Sequence, residues 1–78
     1  MPDLHAIHND SYRKAMADIV KPTMEAGGGD SAVMTVLEST VTGVLLALYR
    51  DPKKAAAMLE EGLVPGVIGR LTDAGQKR

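Results

Sequence analysis

Cysteine is absent from this chain. Its absence excludes disulfides, thiolate metal sites and cysteine catalysis, so packing or a partner must hold the fold together. Phenylalanine and tryptophan are missing as well, and Tyr12 and Tyr49 are the two aromatic residues. A core must therefore come from Ala, Val, Leu, Ile and Met, which suits close-packed helices better than a sheet sandwich. Charge of one sign is lacking too: nine basic against ten acidic side chains leave a formal net charge of −1. No broad positive field attracts a phosphate backbone, and no nucleic-acid partner is expected. Met1-Pro2-Asp3-Leu4-His5 lacks the basic stretch and apolar run of a secretion signal. A complete, small, cytoplasmic protein is the expectation.

What is present begins with the segment from Asp30 to Asp51. Between Ala32 and Tyr49 it carries one charge, Glu38. At about 100° per residue, Val33, Leu37, Thr40, Val41, Val44 and Leu48 fall together, with Val36, Met34 and Leu45 beside them. This arc exceeds half the circumference, whereas a surface helix needs an apolar stripe a little over ~100° wide. The pattern predicts a central helix over about 31–50, the most buried of the fold, covered from more than one side. Its length approaches that of a membrane span, but Glu38 lies near its middle with Thr35, Ser39, Thr40 and Thr42 around it. A central carboxylate is costly in lipid, so no membrane is expected.

The rest of the chain supplies clear punctuation. Residues 1–9 show no apolar period and predict a loose arm, after which Asn9, Asp10 and Ser11 are good N-caps. From there Tyr12, Ala15, Met16, Ile19, Val20, Thr23 and Ala26 share one side of a helix, and the stripe keeps its phase through Pro22. Kept phase predicts a continuous helix kinked at Pro22, with a break there as the alternative. Gly27, Gly28 and Gly29 end it, and Asp30 and Ser31 cap the next one. Asp51-Pro52 is a start signal, cap then first helical position, so a tight turn folds the third helix, 52 to about 61, back beside the second. Ala55, Met58, Leu59 and Gly62 point inward from it. Beyond Gly62 the apolar phase shifts, and Val64, Val67, Ile68 and Leu71 predict a short fourth helix from Pro65 to about Asp73, with 74–78 a frayed tail. The fold class is all-α: one domain over 1–78, a small bundle of three main helices plus a short C-terminal one.

Ser39, Gly43 and Ala47, spaced by four on the central helix, form a row of small residues. Such a row lets two helix backbones approach closely, and a mid-helix glycine, costing about 1 kcal/mol against alanine, needs a compensating contact. That contact comes either from the first or third helix or from a second copy across a two-fold axis. A flank of Thr35, Glu38, Thr42, Leu46 and Tyr49 is polar yet nearly uncharged. It suits a surface covered by another chain, or a shallow ligand groove, better than one washed by water. The candidate interface is therefore Ser39, Gly43, Ala47, Thr42 and Leu46.

Other signals are weaker. His5 and His8 have helical spacing, but two imidazoles without a third ligand do not make a metal site. The glycines before Asp30 lack the strand and the Gly-Lys-Ser/Thr of a phosphate loop, and Asp30 would repel an anion. Lys53 and Lys54 after a tight turn could touch phosphates, but Glu60 and Glu61 follow and no base-reading side chain is placed nearby. No nucleophile with a base, carboxylate pair or cofactor fingerprint is found, so neither an enzyme nor a cofactor is expected. The chain is expected to be a homodimeric association module, an adaptor or regulator of a larger protein partner. The alternative is a small-molecule binder whose apolar pocket is lined by Met16, Met24, Met34 and Met58.

Overall fold

The computed structural model describes residues 3–76. The chain is all-α, with no strand among the described residues. Helix α1 spans Leu4–Glu25, α2 Gly29–Leu48 and α3 Pro52–Met58; a π-helical turn over Leu59–Leu63 then leads without a break into α4, Val64–Gln76. The chain divides into two compact units, Met1–Thr40 and Val41–Arg78.

In the first unit, α1 starts earlier than the sequence predicts. Asp3 is its N-cap, its carboxylate accepting from the amides of His5 at 3.0 Å and Ala6 at 3.4 Å. A loose arm over 1–9 is thereby corrected for residues 4–9, while Met1 and Pro2 lie outside the described residues. The reason lies in the helix register. His5, His8 and Asn9 sit where the apolar stripe of α1 would continue, so the hydrophobic period fades although the helix does not. Asp10, one of the expected caps, is instead mid-helix and pairs with Lys14 at 3.0 Å. That exposed pair adds a few tenths of a kcal/mol at most.

Pro22 lies inside α1, and the helix runs on to Glu25, as the unbroken stripe requires. It then closes in a Schellman cap: the Gly28 amide donates to the Thr23 carbonyl and the Gly27 amide to that of Met24, each at 3.0 Å. Gly27 adopts φ +84°, a conformation that costs a side chain dearly. Across this turn, Ile19, Val20 and Thr23 of α1 and Ala32 and Val33 of α2 are half-buried. No residue of α1 is fully buried.

In the second unit, α2 ends at Leu48 and the chain turns through 49–51. Asp51 caps α3, its carboxylate accepting from the Lys53 amide at 3.0 Å, with Pro52 at the first helical position. Lys54 reaches back so that its Nζ stands 5.8 Å from the centre of the Tyr49 ring. Asp51→Ala should cost about 1 kcal/mol, read as a lower urea midpoint with unchanged slope.

The buried residue here is Ala55, 5% exposed, and it belongs to α3. The expectation that α2 is the most buried helix is not confirmed: no residue of α2 is buried. A wide apolar arc shows how much cover a helix needs, but not that its own chain supplies it. The expected break near Gly62 is also corrected: the run from Pro52 to Gln76 stays helical. In the wide turn, the Val64 amide donates to the Leu59 carbonyl five residues back. Pro65, which has no amide to donate and crowds the carbonyl four residues before it, favours such a turn over a regular one. The expected frayed tail is helical over 74–76, and Lys77 and Arg78 lie outside the described residues.

Candidate functional site

Ser39, Thr42, Gly43, Leu46 and Ala47 are all exposed on α2. A Cβ built on Gly43 meets nothing within 4 Å, so within its own unit α3 does not supply the contact that would compensate for this glycine. The neighbouring apolar arc is open as well: Leu37 is 40% exposed, Val44 53% and Leu48 67%. Val33 and Val41, on the same arc, are half-buried.

Thr42 and Leu46 turn to a different surface from the small-residue row. With Leu45, they form one wall of an open groove whose other wall is Pro52, Ala55, Ala56 and Leu59 of the second unit. Its volume is about 300 Å³ and its lining is almost wholly apolar. None of the methionines Met16, Met24, Met34 and Met58 lines this groove. Sequence reasoning placed Ala55 and Leu59 facing inward but did not see that Pro52 and Ala56 close the groove with them. The signal was the small side chain of Ala56, one residue from the inward Ala55.

The uncharged flank of α2 has a structural reason. On that flank the Thr35 hydroxyl donates to the Ser31 carbonyl at 3.2 Å, and on the apolar arc the Thr40 hydroxyl donates to the Val36 carbonyl at 2.9 Å. Hydroxyls satisfied within their own helix need no water, so the face can be covered without stranding a polar group. On α4 the Thr72 hydroxyl does the same with Ile68 at 2.9 Å.

The other candidates do not converge on a site. His8 and His5 both share hydrogen bonds with the Asn9 side chain, at 3.2 and 3.4 Å. Among the described residues, no set of three or more His, Asp or Glu side chains could hold a metal ion. Gly29 has φ +71° at the start of α2, and the Asp30 carboxylate accepts from the Ser31 amide at 3.0 Å, occupying the place an anion would need. By length and composition α2 could cross a membrane, with a mean hydropathy of 1.7 over its most apolar window. No family model, curated protein or solved structure matches the chain.

Proposed function

We propose that the protein is a non-enzymatic association module that works in the cytoplasm as a homodimer, serving as an adaptor or regulator of a larger protein. One observation carries the reading: α2 is the most apolar helix of the chain, and none of its residues is buried. Leaving Val44, Leu46 and Leu48 in water forgoes about 1.5–3 kcal/mol for each side chain that could be fully buried.

A lipid bilayer is the second reading, favoured by the length and hydropathy of α2. It explains less, because a bilayer around α2 leaves Val67, Ile68 and Leu71 of α4 uncovered at 46%, 57% and 67% exposure. Glu38 would also have to enter the hydrocarbon.

Sedimentation velocity at micromolar concentration should give the mass of two chains without detergent. Gly43→Leu should raise the dissociation constant by about tenfold or more, because a bulky side chain separates backbones that the small residues let approach. A single-chain mass at high micromolar concentration would remove the dimer. Flotation with neutral phosphatidylcholine vesicles would decide for the bilayer.

A further inference from the structure

We propose that α3 pairs with α3 of a second copy, antiparallel across a two-fold axis beside Ala56, so that Lys53 of each chain stands against Glu60 of the other. This rests on the homodimer reading above and adds α3, with its orientation, to the surface the two copies share.

The helix that starts at Pro52 carries a base pair of residues in its first turn, Lys53-Lys54, and an acidic pair seven residues on, Glu60-Glu61. Cations are the less favourable choice in a first turn, because the free amides there attract negative charge. Lys54 has a local reason for its place, with its Nζ 5.8 Å from the centre of the Tyr49 ring. Lys53 has none: the Asp51 carboxylate accepts from its amide, and its ammonium has no ion-pair partner among the described residues. The Glu60 carboxylate has none either, and both side chains are exposed.

Helix geometry makes this charge pattern its own complement. Seven residues fall about 20° short of two turns, so Lys53 and Glu60 stand on one side of the helix, about 10 Å apart along it and too distant to pair with each other. Ala56 lies between them, exposed, on the rim of the apolar groove it forms with Pro52 and Leu59. A two-fold axis through the midpoint, perpendicular to the helix, brings each base onto the other copy's acid. A parallel pairing would set Lys53 beside Lys53 and Glu60 beside Glu60, so the charges select the antiparallel one. The small Ala56 at the axis lets the two helices come to the near end of the usual 8–10 Å separation. The second copy then lies along the mouth of the groove, covering its walls at Leu46 and Leu59. Exposed ion pairs add little affinity singly, and their part here is to fix orientation and register.

Sedimentation of the full chain at low ionic strength, where exposed charges are least screened, tests the pairing. Lys53→Glu sets acid against acid at both ends of the contact and should raise the dimer dissociation constant about tenfold, and Glu60→Lys should do the same with bases. An acid in the first turn favours the helix, so a dimer lost through Lys53→Glu is not a weakened α3, and circular dichroism should show the helical signal kept. Mixed in equal amounts, the two variants should form a mixed dimer whose dissociation constant lies within about threefold of the unchanged protein's, because every acid again meets a base. Lys54→Glu and Glu61→Lys alter the net charge equally but lie about 140–160° round the helix from Ala56, and each should leave the dissociation constant within about twofold. A mixture that binds no more tightly than the separate variants, or an equal loss from Lys53→Glu and Lys54→Glu, overturns the inference. So does either single variant that dimerises as tightly as the unchanged protein. These results leave the homodimer standing, whereas an unchanged protein that is monomeric at every concentration removes both.

Discussion

The melting temperature of the protein should rise with its concentration, by about 3–6 °C for each tenfold increase. The range follows from mass action: a tenfold change is worth about 1.4 kcal/mol per dimer, and a folding unit of some 150 residues shifts by about 2–4 °C per kcal/mol. A monomer would melt at one temperature at every concentration. The reason to expect dependence is that Ala55 is the buried hydrophobic residue among those described, too small a core to offset about 1–2 kcal/mol of backbone entropy per residue. Val44→Asp sharpens the test. Val44 is 53% exposed within its own chain, so a carboxylate there should change stability by no more than about 0.5 kcal/mol if water is its real neighbour. Beneath a second copy, the same carboxylate would be buried without a partner and should cost several kcal/mol. Analytical ultracentrifugation and circular dichroism should then show a monomer that has lost most of its helical signal. A dimer of unchanged affinity would place Val44 outside the interface.

Local signals in the sequence proved to be the dependable ones. Asp51-Pro52 starts α3 where a cap followed by proline must, and Gly27 closes α1 through the left-handed conformation that favours glycine. The continuous stripe through Pro22 was enough to carry α1 past it. The start of α1 was not legible, because Asp3 and the Asn9-Asp10-Ser11 cluster offer equivalent capping oxygens. The choice between them depends on a helical turn whose stripe positions are polar. The shift in phase near Gly62 was visible, but a shift of this size has two explanations, a broken helix or one residue absorbed by a wide turn, and residue types alone do not separate them. Burial was the least legible property. The arc on α2 states how many of its sides need cover, whereas the identity of the cover depends on contacts that residue types do not name. The candidate residues Ser39, Gly43 and Ala47 could therefore be placed on one helix face without revealing that α3 leaves Gly43 open.

Replacing Gly28 should do more damage than replacing any other glycine of the chain. A Cβ at this position would stand 2.8 Å from the Ala32 Cβ, 2.9 Å from the Thr23 Cγ2 and 3.1 Å from the Thr23 carbonyl oxygen. The other glycines have open space at the same point. Two of the three obstacles are short, rigid side chains and the third is backbone, so α1 and α2 must separate at their turn to admit even a methyl group. That movement strains the bond from the Gly28 amide to the Thr23 carbonyl, which closes the cap of α1. Gly28→Ala should cost about 1–3 kcal/mol, the usual cost of overpacking, and Gly28→Val should fail to fold. Gly27→Ala, at φ +84° but with room for its methyl, isolates the backbone term and should cost about 1 kcal/mol. Contact at the turn can be tested by pairing Gly28→Ala with Thr23→Ser, which removes the methyl 2.9 Å away. Urea denaturation at fixed protein concentration should show the double variant recovering part of the loss. Additivity of the two changes would place the damage elsewhere than at the Thr23 side chain.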